Sequence, residues 1–419
     1  AVTSIISDDA DKGSDPGDTG ADKDIIDALT YNASTPSFQS TWDAHYAGIN
    51  RCNQALAIFP KLDKVTPALK VRLEGEAKFF RAFMYFTLVK GYGGVPIIDH
   101  LPIPGSEGDR IMQLTRKTSA EVYAFIEKDL NDAITNLPEK SAYAAEDKSR
   151  VSKGSAYALL AKVNLYQKNW QKVIDNCDKV TGYSLVADYA LQYKKAGEFG
   201  PESIFEINGI GSTSSPGFGI GNYSVSQAPR GAGGWGWGFN TPTQGLANAY
   251  EAGDVRRAAT IIFRGSVLYD GRPVPATVAN PMYNYKAYSS DFYNQEFTDT
   301  NLRYLRYAEV LLMKAEALNE LGQTSAAIPL VNMIRKRAGL GDTPFTSQTD
   351  VRKAIWKERR LEMAFEHDRW FDLVRTGQAQ AAMAADGKTF VVGKHELFPI
   401  PTTFLREAGG LSQQNPGGY

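Results

Sequence analysis

The chain has 419 residues, of which 43% are hydrophobic and 22% are charged, proportions that are typical of a folded globular protein and exclude wholesale disorder. Its net charge is -1 at pH 7, and lysine and arginine are scattered among the acids, so the sequence offers no basic surface for DNA or RNA. We therefore expect no nucleic-acid partner, and two or three structural lobes at roughly 150 residues each.

The histidine and cysteine content argues against a metal centre. The histidines lie far apart and show no ligand spacing: His45, His100, His367 and His395. Cys52 and Cys177 each fall on a predicted apolar helix face, where a thiol behaves as a small buried hydrophobe. No stretch approaches the roughly 20 apolar residues that a membrane helix needs. We predict no metal chemistry and no bilayer-spanning segment in this sequence.

A helical hairpin is predicted after an irregular start, which contains only a short helix near residues 22–29. One apolar face runs along residues 41–59 at three- and four-residue steps: Trp42, Tyr46, Ile49, Asn53 and Leu56. A second stripe runs along residues 67–90, before a segment rich in Gly and Pro: Leu73, Ala77, Phe80, Met84 and Leu88. Two consecutive stripes of this kind predict an antiparallel pair of helices.

Further helices follow in two similar blocks. Thr118 and Glu121 have the spacing of a capping box and predict a helix that ends before Pro138. Residues 155–180 and 305–339 each indicate a helix, a tight turn and a second helix, with turns near Asn169 and Gly322. Two hairpins of about 34 residues are typical of tetratricopeptide-like units, which bury their faces by stacking.

Residues 199–302 differ from the rest. "ESIFEI" alternates like a strand, and after it Gly, Ser, Pro and aromatic residues dominate with little periodicity. Long loops are usually functional or disordered, and the aromatic density argues against disorder. The predicted fold is mostly α, a bundle of tetratricopeptide-like hairpins with an inserted loop-rich lobe containing short strands. The predicted divisions are an N-terminal helical region at 1–198, an aromatic ligand-binding lobe at 199–302, and a C-terminal helical region with an extended tail at 303–419.

No catalytic constellation stands out. "GAGGWG" fits G-x-G-x-x-G, but no strand precedes it and no helix follows, so a dinucleotide site is not predicted. Glu202 and Glu206 would lie about 13 Å apart on a strand, whereas glycoside hydrolysis needs its carboxylates about 5 to 9.5 Å apart. No nucleophile elbow, zinc-binding helix or phosphate loop occurs. We expect no catalytic residue and no enzyme.

Residues 350–377 predict one long helix on which charges alternate with apolar stripes. Its charged positions are Glu358, Arg359, Glu362, Glu366 and Arg369. We interpret them as structural ion pairs rather than as a catalytic cluster.

The aspartates near the N-terminus have two interpretations. Asp and Gly are ordinary turn residues, so residues 8–18 are predicted to be a solvated turn-rich segment. The alternative is a calcium site at Asp9, Asp11 and Asp15, because carboxylates are the oxygen ligands that calcium prefers. The spacing does not fit the EF-hand pattern. We expect no cofactor, with calcium as the open alternative.

Aromatic residues on loops are the strongest binding candidates. A sugar ring has an apolar face and a rim of hydroxyls, so a flat aromatic ring beside polar side chains matches it. The candidate ligand-binding residues are Tyr31, Tyr223, Trp235, Trp237, Tyr283, Tyr285, Tyr288, Asp291, Tyr293 and Asn294. Asn284 and Lys286 would contribute to the polar rim. We expect one tryptophan to turn inward and Trp237 to be exposed. The alternative is that these rings only cap the helical core.

Several segments together resemble one family across nearly the whole chain. They include "TWDAHYAGINRCNQAL", "EAKFFRAFMYFTLVKGYGGVPII", "GGWGWGFNTPTQGLANAYEAGDVRR", "LRYAEVLLMKAEALNELG" and "EHDRWFDLVRTG". The resemblance is to the SusD/RagB family of Bacteroidetes outer-membrane lipoproteins. It implies a tetratricopeptide-like bundle that captures a glycan, or sometimes a peptide, for a SusC-like TonB-dependent transporter.

The resemblance also carries expectations about location. Family members usually begin with a lipidated cysteine, so we expect a surface-exposed outer-membrane protein whose anchor lies in a segment removed ahead of Ala1. The chain departs from the family pattern in "PIPTTFLREAGGL", which lacks the usual acidic residue after the prolines. A "GWG...PT" element belongs to the family pattern itself, so one of the tryptophans could serve the fold. The alternative function is a peptide-binding or protein-interaction scaffold of the same architecture.

Overall fold

A computed structural model describes residues 2–15, 18, 20–209, 222–290 and 300–419. Its α-helices in chain order are α1 (Val2–Ile5), α2 (Ala21–Asp27), α3 (Pro36–Ile58), α4 (Pro67–Tyr92), α5 (Glu107–Leu114), α6 (Ser119–Asn136), α7 (Lys153–Tyr166), α8 (Trp170–Cys177), α9 (Tyr223–Gln227), α10 (Gln244–Ala249), α11 (Val255–Thr260), α12 (Tyr307–Glu320), α13 (Thr324–Arg337), α14 (Gln348–Glu362), α15 (Arg369–Arg375), α16 (Ala379–Ala385) and α17 (Thr402–Ala408). Its strands are β1 (Ala10–Gly13), β2 (Ser203–Ile207), β3 (Phe239–Pro242), β4 (Ile261–Phe263), β5 (Met282–Asn284) and β6 (Leu302–Arg306). Short 3-10 helices cover Phe59–Lys61, Lys140–Ala142, Ala145–Asp147, Tyr189–Tyr193 and Lys195–Gly197. The mostly helical fold is confirmed, and no helix in the described ranges is long and apolar enough to cross a membrane.

The chain forms two compact units. The first unit comprises Ala1–Ala28 and Lys168–Lys388, and the second comprises Leu29–Gln167 and Thr389–Tyr419. The two units are defined by contacts between residues. The predicted boundaries at 198/199 and 302/303 instead mark where loop content changes along the sequence. That division stays a prediction.

The second unit contains the predicted N-terminal hairpin. α4 packs against α3, as the two apolar stripes predicted, and it also packs against α6. Thr118 accepts the backbone N–H of Glu121 and the Glu121 carboxylate accepts the N–H of Thr118, so the capping box is confirmed. A buried ion pair joins α4 to α6, with Arg81 Nε 2.7 Å from Asp129 Oδ2.

The C-terminal tail returns to α4 within the same unit. The backbone N–H of Phe398 donates to the carbonyl of Gly91 at 2.7 Å. A Cβ at Gly91 would lie 2.8 Å from the Phe398 ring, so only glycine allows this approach. The Asn415 amide donates to the carbonyls of Tyr92 and Phe398 at 3.0 and 2.8 Å. The extended tail is therefore held by specific hydrogen bonds.

The first unit contains the second predicted hairpin. α12 and α13 pack together and are joined through Gly322, whose φ of +76° is a conformation that glycine adopts without strain. α8 and α14 both pack against α12. The helices predicted for residues 155–180 are also present as α7 and α8, with Lys168 at a φ of 59° in the break. α7 belongs to the second unit and α8 to the first.

The strands of the first unit form two-stranded antiparallel sheets. β1 pairs with β3, β2 with β6, and β4 with β5. The strand predicted from "ESIFEI" is confirmed as β2. β4 and β5 lie in the loop-rich segment and position the aromatic candidates described below.

The single helix predicted for residues 350–377 is wrong. α14 ends at Glu362, and α15 begins at Arg369. Between them Phe365 and His367 adopt left-handed φ values of 64° and 78°, which an α-helix cannot contain. The ion pairs expected of these charges are present, since Glu362 and Glu366 are buried and pair with Arg306.

Candidate ligand-binding site

A short sheet in the first unit positions the aromatic candidates. β4 pairs with β5 so that Ile261 lies opposite Asn284 and Phe263 lies opposite Met282. Tyr283 on β5 is fully buried, and its hydroxyl accepts the backbone N–H of Asn280 at 2.8 Å. The strand pair thus fixes the backbone from which the following aromatic residues project.

Four rings form a group that we call the aromatic shelf: Trp235, Tyr269, Tyr285 and Tyr288. The ring centroids of Tyr269 and Tyr285 are 6.1 Å apart and their planes differ by 21°, so their faces are nearly parallel. Tyr288 lies 5.7 Å from Tyr269 and 5.8 Å from Tyr285, and Trp235 lies 6.1 Å from Tyr288. Tyr269 is 43% exposed, whereas Tyr288 is 2% exposed. The shelf is therefore open at Tyr269 and supported from inside by Tyr288.

Hydrogen bonds hold the shelf in place. The backbone N–H of Tyr269 donates to the Tyr285 hydroxyl at 2.8 Å. The Tyr288 hydroxyl donates to Asp270 Oδ2 at 2.5 Å. Burial, together with this hydrogen bond, raises the pKa of Tyr288 far above its ordinary value. Tyr288 therefore keeps its proton and orients the turn that carries Tyr269 and Asp270.

Two cations lie against the shelf. Lys194 Nζ is 4.8 Å from the centroid of the Tyr269 ring, and the Arg272 guanidinium carbon is 4.8 Å from the centroid of the Trp235 ring. Both distances are within the range of a cation–π contact. The shelf thus combines apolar ring faces with hydrogen-bond donors at its edge.

A cavity of about 420 Å³ lies beside the shelf. Tyr269 and Tyr285 line it on one side, and Tyr189, Tyr193 and Lys194 line it on another. Val255, Ala258 and Ala259 of α11 complete an apolar wall. A concave, mostly apolar site with a few polar groups is the usual form of a small-ligand site.

Buried charges hold the cavity lining from behind. The Tyr193 hydroxyl donates to Glu366 at 2.8 Å, and Lys286 Nζ lies 2.7 Å from the same carboxylate. Burial alone would raise the pKa of Glu366, but Arg306 and Lys286 lower it to about 2. Burial lowers the pKa of Lys286 to about 8, against the opposing effect of Glu366. Both groups are therefore charged at neutral pH and fix the ring of Tyr193.

In the glycine-rich segment 231–240, several glycines adopt positive φ values, as the composition predicts. Gly231, Gly233 and Gly238 have φ values of 109°, 79° and 73°, which favour glycine. A Cβ at Gly236 would lie 2.4 Å from the Cβ of Ala228. The segment can therefore pack closely enough to place Trp235 against Tyr288.

The structure brings three of the predicted candidates together, namely Trp235, Tyr285 and Tyr288. Tyr283 lies in the core next to Tyr288 rather than at the surface. Trp237 is 38% exposed, in agreement with the expectation that one tryptophan turns inward and the other faces solvent.

The other candidates lie elsewhere. Tyr223 is partly buried and its ring is 6.5 Å from that of His367. Tyr31 is in the second unit, 1% exposed, and packs against Phe38 and Tyr419 at 4.9 and 6.0 Å. Its burial does not favour contact with a ligand, and its assignment stays a prediction. Three further candidates lie outside the described residues: Asp291, Tyr293 and Asn294.

The polar rim expected from Asn284 and Lys286 is wrong. Both side chains are buried. Asn284 donates to Gln227 at 2.8 Å, and Lys286 donates to Glu366 at 2.7 Å. They stabilise the backbone behind the shelf instead of facing solvent.

Sequence reasoning missed several residues of the shelf and of the cavity beside it: Tyr269, Asp270, Arg272, Tyr189, Tyr193 and Lys194. The signal for the first three was present in "LYDGR", where Gly271 has a φ of 85° and Leu268 accepts the N–H of Gly271. An aromatic residue at a tight turn cannot be fully surrounded by its own strand neighbours, so it is a candidate for exposure. Tyr189 and Tyr193 lie on a short 3-10 helix and Lys194 directly follows it, and the position of all three beside the shelf comes only from tertiary contacts.

The three aspartates considered for calcium contact separate cations. Asp9 Oδ1 is 2.7 Å from Arg360, and Asp15 Oδ2 is 2.8 Å from Arg230. Asp11 lies 3.8 Å from Lys388. These pairs do not favour a shared cation, and the calcium alternative stays a prediction.

Comparisons with known proteins give a consistent result. A family model described as the SusD family matches residues 201–419, and a second, described as starch-binding and associating with the outer membrane, matches residues 19–165. "SusD-like protein P2" of Formosa agariphila is 28% identical over 96% of this chain and 85% of the relative.

Solved structures agree with these matches. A laminarin-binding SusD-like protein has a TM-score of 0.83 and 30% identity, covering 99% of this chain and 93% of the other. Surface glycan-binding protein A from Bacteroides fluxus has a TM-score of 0.82 and 26% identity, with the same coverage of 99% and 93%. The similarity thus extends over both compact units.

Proposed function

From the premise that this chain belongs to the SusD family, we propose that it captures an oligo- or polysaccharide at the cell surface and delivers it to a SusC-like TonB-dependent outer-membrane transporter. The proposal places the sugar on the aromatic shelf of the first unit. The family description associates such proteins with the outer membrane. Attachment through a lipidated cysteine is part of the proposal.

The nearly parallel faces of Tyr269 and Tyr285 are the observation that carries this function. The Tyr269 ring is 43% exposed and is stacked with the Tyr285 ring at an interplanar angle of 21°, so Tyr269 can present an apolar ring surface to the C–H face of a pyranose ring. Lys194 Nζ lies 4.8 Å from the centroid of the Tyr269 ring and can donate to the hydroxyls of a sugar bound there. Such contacts are individually weak, and the repeated units of a polymer raise the effective concentration of the ligand.

We propose binding without bond cleavage. The nearest carboxylates already have structural partners, since Asp270 accepts the Tyr288 hydroxyl and Asp188 caps the N–H of Ala190 at 2.9 Å. Glycoside hydrolysis requires one carboxyl group that can donate a proton to the leaving oxygen and a second on the other side of the bond. Release of reducing sugar from any member of a polysaccharide panel would overturn this part of the proposal.

Affinity electrophoresis tests the binding site directly. The chain is run through gels containing laminarin, starch and other polysaccharides, alongside Tyr269→Ala and the control Phe345→Ala. Phe345 is 45% exposed in the first unit and does not line the cavity, so it matches the loss of an exposed ring. We expect the parent and Phe345→Ala to be retarded equally, and Tyr269→Ala to migrate freely. Equal retardation of all three would remove the shelf from the site, and retardation by none of the gels would contradict glycan binding.

Delivery needs a separate experiment. Co-purification from cells that express the full-length lipoprotein should recover a TonB-dependent transporter. Protease treatment of intact cells should degrade the protein if it is surface-exposed. Protection from protease, or recovery without a transporter, would contradict this part of the proposal.

A further inference from the structure

A second, larger cavity lies along an adjacent face of α11. Its volume is about 730 Å³. Val255 and Ala259 of α11 line the cavity beside the shelf, whereas Arg257 lines the second cavity and Ala258 lines both. A single six-residue helix therefore separates the two cavities. A ligand longer than one sugar unit can lie across this helix and occupy both.

Arg257 is held in a fixed orientation at the second cavity. Its guanidinium carbon lies 4.6 Å from the centroid of the Phe263 ring, within stacking distance. Its Nε donates to the carbonyl of Ala247 at 3.2 Å. These two contacts restrain the side chain, and they leave the Nη edge of the guanidinium available on an exposed residue.

The acids that line this cavity are paired with other cations. Glu251 lies 2.9 Å from Arg335 and 2.9 Å from Lys357, and hydrogen bonding to Arg335 lowers the pKa of Glu251 to about 2. Asp254 Oδ2 lies 2.7 Å from Arg256. Within the described ranges, no carboxylate lies at ion-pair distance from Arg257. The charge of Arg257 is therefore not compensated by a bound acid.

We propose that this cavity is a second subsite, in which Arg257 binds an anionic substituent of the glycan, either a uronic-acid carboxylate or a sulfate ester. The proposal rests on the proposed glycan-binding function and names the class of sugar that the site selects. A guanidinium offers two parallel N–H groups that match two oxygens of a carboxylate or sulfate, so it suits both groups. Ala247, Tyr250 and Ala258 provide an apolar lining for the sugar ring that carries the anion.

The two cavities then have different tasks. The shelf binds a sugar face whatever its charge, because stacking depends on C–H groups. The cavity at Arg257 discriminates by charge, because an uncharged hydroxymethyl group forms weaker hydrogen bonds with a guanidinium than an anion does. A glycan with neutral and acidic units should therefore bind more tightly than a neutral glycan of the same length.

Calorimetric titration with one backbone tests this assignment. The probes are laminarin oligosaccharides of equal length in three forms, namely neutral, oxidised to the carboxylate at C6, and sulfated at C6. The proteins are the parent, Arg257→Gln and the control Arg264→Gln. Arg264 is also exposed and bound to a backbone carbonyl, at 3.4 Å from Ala279, but it lines neither cavity, so it controls for the change in net charge.

For the parent and Arg264→Gln, we expect at least one acidic form to bind about tenfold more tightly than the neutral form. Arg257→Gln should lose that gain, and its affinity for the neutral form should change by less than the gain that is lost. The gain should also shrink as salt is raised from low to physiological concentration, since a partly exposed ion pair is screened. The acidic form that shows the gain identifies carboxylate or sulfate as the group recognised.

Two results would overturn the inference while the proposed function stands. One is equal affinity of the parent for all three forms, and the other is an equal loss in Arg257→Gln and Arg264→Gln. Failure of all three forms to bind, with the parent folded, would contradict the proposed function itself for this backbone. Arg257→Lys adds a further check, because it retains the charge but not the paired N–H groups, and it should keep only part of the gain.

Discussion

Cations lie against tyrosine rings in two regions of the first unit, and the surroundings of the cations differ. In the buried region, Lys286 lies 4.5 Å from the Tyr193 ring and Arg337 lies 5.0 Å from the Tyr189 ring. At the shelf, Lys194 lies 4.8 Å from the exposed ring of Tyr269. The distances are alike, so the cation–ring contact alone does not distinguish a structural role from a binding role.

Carboxylates and burial make the difference. Arg306, next to the buried rings, is 0% exposed and pairs with Glu202 at 2.9 Å, with Glu366 at 2.7 Å and with Glu362. In the buried region, the N–H groups of Arg306 therefore already donate to carboxylates of the protein. At the shelf, Lys194 is partly exposed and lies at the edge of a cavity. A cation–aromatic pair can therefore contact a ligand only where the cation retains access to solvent.

The largest expected effect is a loss of stability when the buried cation Arg306 is replaced. Arg306→Met leaves Glu202, Glu362 and Glu366 without their shared cation, so the free energy of unfolding should fall by about 3 to 5 kcal/mol. Urea denaturation followed by circular dichroism measures this change. Tyr269→Ala serves as the comparison at the shelf and should change stability by no more than about 0.5 kcal/mol. Similar losses in both variants would contradict the distinction between the regions.

Acid should destabilise the buried region, because Glu366 loses its charge there. The pKa of Glu366 is lowered from 4.5 to about 2, so its stabilising contribution is present above pH 4.5 and is lost as the pH falls towards 2. We expect the free energy of unfolding to decrease over that interval. Glu366→Gln should be less stable at pH 7 and should show a shallower decrease below pH 4.5. An identical pH dependence in both proteins would contradict the assignment.

A smaller effect, on glycan affinity, is expected from removing the Tyr285 hydroxyl that supports Tyr269 in the shelf. Tyr285→Phe removes the hydroxyl that accepts the backbone N–H of Tyr269, and the net value of such a hydrogen bond is about 0.5 to 1.5 kcal/mol. Glycan affinity measured by calorimetry should fall by about three- to tenfold, because Tyr269 is less well held. The thermal midpoint should stay close to that of the parent. Unchanged affinity would mean that the orientation of Tyr269 does not matter for binding.

The smallest expected effect comes from replacing Lys194, the cation that lies against Tyr269. Lys194→Met removes a contact worth about 0.5 to 1 kcal/mol at an exposed site, so glycan affinity should fall by about two- to fivefold. The free energy of unfolding should fall by no more than about 1 kcal/mol, in contrast with Arg306→Met. A large loss of stability in Lys194→Met would make the two regions equivalent and contradict the comparison.

Local pattern predicted the helices well, because the residues that form a helix face are close in sequence. α3, α4, α6, α12 and α13 all lie where the apolar stripes indicated them. The break after Glu362 could not be predicted in this way. Phe365 and His367 hold left-handed φ values without being glycine, and the adjoining Glu366 is bound to Lys286 and Arg306, which are distant in sequence.

The candidate site was predicted only in part. Aromatic density in residues 231–240 and 283–288 indicated part of the aromatic shelf, since Trp235, Tyr285 and Tyr288 do meet. The same density could not separate the buried Tyr283 from the exposed Tyr269, which was missed. It also could not show that Lys286 pairs with Glu366 behind the shelf.

The sequence by itself determined the helical architecture and the family, because periodicity and motifs are properties of neighbouring residues. Only the tertiary structure decided which rings and cations face solvent. The exposure of Tyr269 depends on the pairing of β4 with β5 and on its contacts with Lys194, Tyr285 and Tyr288. Contacts between residues distant along the chain leave no local pattern, so burial and charge compensation become visible only when the chain is folded.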